Sequence, residues 1–307
     1  MRVQQQHQEL PVQGQGHSPV PVTVRAKTVR AHCRAKFTLL RSCLVFLCYL
    51  ISLNMSAQEN LPINFGEELL FNIHFKYGIV MKAGTAEYRN QKATYRQQPA
   101  VKTQLTFRTT STFDKIFKIR DTLVTHLNLK LIPIHHKKFL HEGKTEYVED
   151  IYYQQFGANY TQVRSMRTKE GVVRFDTIMS ANSEGHDLLN SFLIVRQIDY
   201  SNLQIGQTFE YVSFIGRDAV RMKLRYTGQA IIEKSASEKY KTHKFSIDII
   251  DKVFTESKNA VEIWVSDDLN HIPIKIKAKL KIGAAEIELS SAKNLKHPFD
   301  AKIEIHR

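Results

Sequence analysis

Alternation of apolar and polar residues runs through most of this chain and restricts it to a β-sheet fold. Near the C-terminus, apolar residues occupy every second position from Ile272 to Ile282, and lysines fill the alternate positions from Lys275 to Lys281. Successive side chains of a strand point to opposite faces, so this pattern predicts one buried and one solvated face. Similar runs recur between residues 66 and 293 and are followed by turn residues. The chain is therefore predicted to be all-β with a minor α content.

The same region predicts a β-hairpin. Gly283-Ala284 fits a two-residue type II′ turn, which takes glycine at its first central position. Counting back from this turn matches charges with charges and apolar side chains with apolar side chains. The predicted pairs are Lys281 with Glu286, Lys279 with Glu288, Leu280 with Ile287, and Ala278 with Leu289.

One helix is predicted over Glu184 to Gln197, capped by Asn182 or Ser183. Its apolar face is broad enough to require burial on more than one side, as in the mouth of a curved sheet. A second short helix is predicted over Thr112 to Ile116. The residues expected to line or plug an apolar pocket are Leu188, Leu189, Phe192 and Leu193.

A late export signal precedes the alternating region. A basic flank from Arg34 leads into the apolar run Cys43–Leu53, which at about 11 residues is shorter than the roughly 20 a spanning helix needs. We expect residues 1–33 to be a disordered, misassigned upstream extension, residues 34–57 a signal peptide cleaved near Ala57-Gln58, and residues 58–307 a single mature β domain in the periplasm. An uncleaved membrane anchor and a lipoprotein acylated at Cys48 are the alternatives.

The cysteines and the charge limit the chemistry further. All three cysteines precede the expected cleavage point, so the mature part has neither disulfides nor cysteine-ligated metal. The net charge is +14. A basic exported protein can meet anionic lipid head groups or acidic glycans, or be simply soluble, whereas nucleic acid is not an expected partner. The face expected to contact an anionic membrane surface consists of Lys275, Lys277, Lys279 and Lys281.

The possible catalytic and metal motifs fail on spacing. His141-Glu142 lacks the second histidine four residues on that a zinc-protease motif requires, because Thr145 stands there. His186-Asp187 has no Gly-x-Ser-x-Gly nucleophile turn to serve. Asp267-Asp268-Leu269-Asn270 has too few oxygen ligands for a calcium loop. The sequence therefore predicts no catalytic residue, no metal site and no cofactor.

Three segments together resemble the bacterial exported proteins of domain-of-unknown-function family 3108. They are Phe65-Gly66-Glu67-x-Leu69-x-Phe71-x-Ile73 followed by Ala83-Gly84-x-Ala86, then Asp187-Leu188-Leu189 through Arg196, and finally Trp264-Val265-Ser266-Asp267-Asp268 through Ile272-Pro273-Ile274. Many members have serine where this chain has Asn190. The resemblance covers residues 65–293. It implies an antiparallel, strongly curved sheet or incomplete β-barrel, similar to periplasmic lipoprotein carriers, and it brings no known catalytic residues.

Three functions follow as hypotheses. The first is a non-enzymatic periplasmic binding or carrier module for a hydrophobic or lipid-like ligand. The second is a structural or partner-binding envelope protein with a packed interior. The third, a hydrolase, would need a histidine such as His135 or His141 brought beside a carboxylate in a shared pocket. A fold-level likeness to lipid carriers is analogy and does not assign the function.

Overall fold

The computed structural model describes residues 61–157, 159–235, 237–250, 257–280 and 283–303. The expected upstream extension, signal peptide and cleavage point lie outside the described residues. Sixteen strands form in the described part of the chain. They are β1 (Glu68–Tyr77), β2 (Ile79–Tyr95), β3 (Gln98–Thr109), β4 (Arg120–Leu127), β5 (Pro133–Glu142), β6 (Thr145–Gln155), β7 (Thr161–Lys169), β8 (Val172–Ala181), β9 (Gly185–His186), β10 (Thr208–Ile215), β11 (Asp218–Ser235), β12 (Glu238–Ile250), β13 (Ser257–Ser266), β14 (Pro273–Lys279), β15 (Ala284–Lys293) and β16 (Lys302–Ile303).

The strands form one sheet in the order β8-β7-β6-β5-β4-β3-β2-β1-β15-β14-β13-β12-β11-β10-β9, with β16 paired to β12. The described pairs are antiparallel except β9 with β10, which is parallel. Two up-and-down runs, β1–β8 and β10–β15, are joined where β1 pairs with β15 from Glu68↔Lys293 to Lys76↔Ala284. The sheet rolls into a nearly closed barrel shape, which confirms the predicted fold class.

The helical segments are shorter than predicted. Helix α1 covers Ser111–Asp114, and Thr110 caps it by accepting the backbone N–H of Phe113. Helix α2 covers Ser191–Ile194 and continues as a 3₁₀ turn, Val195–Gln197. In the described part of the chain, no helix has the length and apolar character needed to cross a membrane.

The helix predicted over 184–197 is wrong in its first half. Gly185 and His186 instead form β9, which pairs with β10. Asn182 and Ser183 therefore do not cap a helix, and Asp187 accepts the backbone N–H groups of Leu189 and Asn190, each at 2.8 Å. Gly185 and His186 form a strand and not a helix because β9 pairs with β10 at one end of the sheet. This long-range contact cannot be inferred from helix periodicity.

The predicted C-terminal hairpin forms, but its register is wrong by four residues. Lys279 pairs with Ala284 and Lys275 pairs with Glu288, so the connection spans residues 280–283. An even shift leaves the paired side chains of β14 and β15 on their predicted faces. Gly283 has φ +74° and packs against the carbonyl of Lys76, where a Cβ atom would clash. The requirement to pair β15 with β1 sets this register, and residues 281–282 lie outside the described part.

The interior holds two large apolar clusters. One is built on β1–β4, β14 and β15 around α2, and the other lies among β10–β14. Apolar positions that alternate in the sequence, such as Leu69 and Phe71, are almost completely buried. Sequence alternation has therefore been converted into an inward apolar face, as a half-buried antiparallel strand requires.

Candidate functional site

The two ends of the sheet meet at a seam that is closed by side chains. Phe214 of β10 is 1% exposed. It packs with Ile151 of β6 and Val163 of β7, which lie toward the opposite end of the sheet. Gly185 lies between Phe214 and Thr161, and an added Cβ atom would come within 2.5 Å of the Phe214 ring. The close approach explains why glycine occupies this position.

Hydrogen bonds from side chains complete the seam. Thr161 Oγ1 donates to the Ser183 carbonyl at 2.8 Å, and Tyr153 Oη donates to the His186 carbonyl at 3.1 Å. Ser165 Oγ donates to the Gly216 carbonyl at 2.6 Å. At the seam, these bonds take the place of a regular strand ladder among the described strands.

A cleft of about 990 Å³ lies beside the seam. The end of β8 and the following turn form one wall, and β10 and β11 form the other. Apolar side chains lie next to two oppositely charged side chains that do not form an ion pair with each other: Ala181, Val212, Ala219 and Ile250, with Glu210 and Arg221. This combination can hold a molecule that has both an apolar and a polar part.

A second cleft of about 350 Å³ shares Glu210 and Tyr211 with the first. Its walls include Ile194 at the end of α2, Ile198 and Phe209. The two clefts therefore meet along β10, and the second one reaches the helical segment.

The residues predicted to line or plug an apolar pocket do not act together. Leu189 is 1% exposed and Leu193 is fully buried, both within the cluster around β1–β3. Phe192 stacks on Tyr88 with ring centroids 5.9 Å apart. Leu188 faces outward with 46% of its surface exposed. Leu189, Phe192 and Leu193 thus pack into the barrel interior, and none of the four lines the two clefts beside the seam.

The predicted lysine face is only partly available. Lys275 pairs with Glu288 at 2.9 Å and with Glu286 at 3.2 Å, so its charge is compensated locally. Lys277 is half-buried and Lys279 is exposed. Lys281 lies outside the described residues.

A buried clasp centred on Arg196 joins distant parts of the chain. Its guanidinium donates to Glu67 through Nη1 at 2.5 Å and Nη2 at 2.9 Å, and both side chains are almost fully buried. Nε donates to the Asn270 carbonyl at 2.9 Å. Asn90 Nδ2 donates to Glu67 at 3.1 Å. One arginine thereby connects the three segments on which the family resemblance rests.

A family model matches residues 70–290, more than half of the chain, and its description is "Protein of unknown function (DUF3108)". The chain belongs to the DUF3108 family. The structure is similar to the crystal structure of a β-barrel-like protein of domain of unknown function DUF1849 from Brucella abortus, with a TM-score of 0.50 and 8% identity. The match covers 76% of this chain and 100% of that one, and it supports the fold alone. No curated protein matches the chain.

A histidine, a carboxylate and a hydroxyl meet in the interior of this DUF3108 barrel, in a different arrangement from a catalytic triad. Thr125 Oγ1 lies 2.8 Å from His136 Nδ1 and 3.1 Å from Asp187 Oδ1. A triad needs the nucleophile and the carboxylate on opposite ring nitrogens, whereas here both approach Nδ1. All three residues are buried, and burial lowers the pKa of His136 despite the nearby Asp187. We interpret the group as an internal structural network.

The two histidines named in the hydrolase hypothesis, His135 and His141, do have carboxylate partners. Both pairs lie on the outside of the DUF3108 sheet. His135 Nε2 lies 2.8 Å from Asp150, and His141 Nδ1 lies 2.9 Å from Glu146. Neither pair lines the clefts beside the seam. Among the described residues, no three side chains of the histidine, cysteine, aspartate and glutamate types converge as metal ligands.

Sequence reasoning missed the seam and another buried charge cluster. Glu149 accepts from Lys138 at 2.6 Å and from Arg167 Nε at 2.9 Å on three neighbouring strands. Burial opposes its ionisation, but the two cations outweigh that effect and keep the pKa of Glu149 below its usual range. Only the strand register, which pairs Lys138 with Glu149 and Glu149 with Arg167, places these charges together.

Proposed function

We propose that this DUF3108 protein is an exported, non-enzymatic binding or carrier module for an amphipathic, lipid-like ligand. The observation that carries the proposal is the cleft of about 990 Å³ beside the seam. Its volume lies at the upper end of the range of roughly 300–1,000 Å³ that is usual for small-molecule sites. Because the seam is closed by side chains, it can admit a ligand without breaking a strand ladder.

The lining favours an amphipathic ligand over a purely apolar one. Val212, Ala219 and Ile250 offer apolar contact, while Arg221 and Glu210 stand beside them. Arg221 is exposed and forms no ion pair with any other residue that the structure describes. It is placed to meet the anionic head group of a ligand whose apolar part lies along β10.

The adjoining cleft extends the apolar path. Ile194, Ile198 and Phe209 continue from the shared residues toward the end of the helical segment. An acyl chain lying along this path would contact α2 from the outside, since the inward residues Leu189 and Leu193 are already packed. The outer side of the helix therefore forms one wall of the proposed site, and its inward side chains do not contact the ligand.

One observation favours a second candidate, a structural or partner-binding envelope protein. Leu189, Leu193 and the Arg196 clasp fill the centre of the barrel with packed and hydrogen-bonded side chains. A filled centre would suit a scaffold whose partners bind from outside, with Lys277 and Lys279 contributing contact to an anionic membrane surface.

Lipid binding tests the two candidates directly. Protein purified from the envelope would be analysed by native mass spectrometry, and the purified mature form would be titrated with a fluorescent fatty-acid probe. We expect a co-purifying lipid and saturable probe binding. Ala219→Trp should fill the cleft and abolish probe binding, whereas Ile231→Trp, at an exposed position on the same strand, should leave it unchanged.

Two outcomes would count against the carrier. One is the absence of both a co-purifying lipid and saturable probe binding. The other is equal probe affinity in the two tryptophan variants, which would place any bound lipid elsewhere. Either result, combined with a stable partner captured by cross-linking in cells, would favour the structural candidate. The N-terminal mass of the exported form would test cleavage before Gln58.

A further inference from the structure

A column of stacked rings runs across the outer face of the sheet, away from the seam. His126 on β4 pairs in register with His135 on β5, which pairs with Tyr152 on β6. The two histidine rings are parallel within 5°, and the His135 and Tyr152 rings are parallel within 9° with centroids 4.5 Å apart. Tyr95 leans on both histidines, with centroid distances of 4.8 and 5.6 Å.

The column ends at Tyr152, where a depression of about 370 Å³ opens. Arg96, Tyr152, Arg164 and Met166 line it. Arg164 is the register partner of Tyr152 on the neighbouring strand β7. The depression thus lies at the end of the column, where β6 meets β7.

The charges in the depression are unequal. Arg164 is neutralised by Asp176, which accepts from Nε at 2.8 Å and from Nη2 at 2.5 Å. The Arg96 guanidinium lies 5.5 Å from the Tyr95 centroid and 5.8 Å from the Tyr152 centroid, and it has no ion-pair partner within the described part of the chain. The nearby Asp150 is occupied by His135 and Lys137. One uncompensated positive charge therefore faces the rings.

The backbone that carries Arg96 is costly for an arginine. Arg96 and Gln97 form the two-residue connection between β2 and β3, with φ values of +48° and +66°. Turns with two positive φ values favour asparagine or aspartate followed by glycine, because a Cβ atom is strained in this region. The turn conformation does not explain why arginine occupies position 96. Its guanidinium lies over the Tyr95 and Tyr152 rings, and this contact gives a reason for arginine.

We propose that this depression is a second binding site, for a planar aromatic ligand that bears a carboxylate. The ring would contact Tyr152 at the end of the column, beside Met166 and the Arg164 side chain. The carboxylate would accept hydrogen bonds from Arg96, whose planar guanidinium matches its geometry. The site shares no lining residue with the seam cleft, so it does not depend on lipid binding there.

Calorimetric titration of the mature protein with 2-naphthoate tests the site. We expect saturable binding that is about tenfold tighter than for cyclohexanecarboxylate, which has the charge but no flat ring, and for 2-naphthalenemethanol, which has the ring but no charge. Arg96→Gln and Tyr152→Leu should each weaken 2-naphthoate binding by about tenfold. Arg217→Gln is the matched control, because this exposed guanidinium lies 5.5 Å from the Phe175 ring centroid and outside the depression.

Several results would overturn the proposal. They are the absence of saturable 2-naphthoate binding, equal affinity for the flat and the non-planar carboxylate, or Arg96→Gln binding that matches the wild type. Thermal unfolding of each variant by circular dichroism separates lost binding from lost folding. Arg96 is exposed at a turn, so its replacement leaves the core untouched.

Discussion

Replacing Glu67 with glutamine would leave the guanidinium of Arg196 buried without its counter-ion. Arg196 is 4% exposed and Glu67 is fully buried, so water cannot solvate the guanidinium that has lost its counter-ion. Glutamine keeps the size of the side chain and can still accept from Asn90, which isolates the electrostatic contribution. We expect this variant to be among the most destabilising single substitutions in the barrel.

The expected magnitude follows from the geometry. Two unit charges about 4 Å apart interact by about 4 kcal/mol at an effective dielectric constant of about 20. Removing one partner of a buried ion pair typically costs about 3–5 kcal/mol, because the remaining charge is left desolvated. Arg196→Met should cost a similar amount, since it strands the Glu67 carboxylate and leaves the Asn270 and Pro62 carbonyls without the N–H donors of Arg196.

Urea unfolding followed by circular dichroism measures the effect, with the midpoint and the slope fitted separately. The double variant Glu67→Gln/Arg196→Met should cost less than the sum of the single variants, because neither charge remains buried alone. Asp176→Asn is the matched control. It breaks a bidentate pair to Arg164 whose side chains are 62% and 36% exposed, and we expect it to cost about 1 kcal/mol or less.

Two results would contradict the expected role of this ion pair. A Glu67→Gln variant within about 1 kcal/mol of the wild type would show that the clasp is solvated or dispensable. Strict additivity of the two substitutions would show that the side chains do not interact energetically, whatever the distance between them.

Gly185→Ala should lower the free energy of unfolding by about 1–3 kcal/mol, since its Cβ would overlap the Phe214 ring, and urea unfolding would show it. Burial holds the pKa of His136 below its unfolded value of about 6.5, so stability should fall as the pH drops below that value, by up to about 1.4 kcal/mol per pH unit; His136→Asn should flatten that dependence in pH-resolved unfolding curves. The double change Arg96→Asn/Gln97→Gly should raise the free energy of unfolding by about 1 kcal/mol, because asparagine and glycine adopt positive φ values with less strain. It should still remove 2-naphthoate binding.

The buried face of the clearly alternating strands was predictable from the sequence, but strand pairing was only partly so. Ile272, Ile274 and Ile276 are buried as their alternation predicts. The register of their hairpin was not predictable, because a shift of four residues keeps both faces intact and the local turn signal at Gly283 was consistent with either. Contact with β1, more than two hundred residues earlier in the chain, decides between them.

The candidate sites depended on such long-range contacts even more. Arg196 and Glu67 both stood in segments that resemble the family, yet they are 129 residues apart and nothing local indicates that they pair. The seam cleft exists only because the sheet curls until β8 approaches β10 and β11. The outer column had no local signal either, because the positive φ values of Arg96 and Gln97 become visible only in the folded structure.

The pairing of β1 with β15 also has a consequence for the order of folding. The β1–β8 and β10–β15 runs consist of neighbouring strands with short connections, whereas the β1–β15 ladder closes a loop that spans nearly the whole described chain. Contacts of such high sequence separation form slowly, because the entropy of loop closure is lost before they form. The two runs should therefore collapse as separate halves that dock late. Cutting the chain between β8 and β9 would produce two fragments able to reassemble through this ladder, the seam, the shared apolar cluster and the Arg196 clasp.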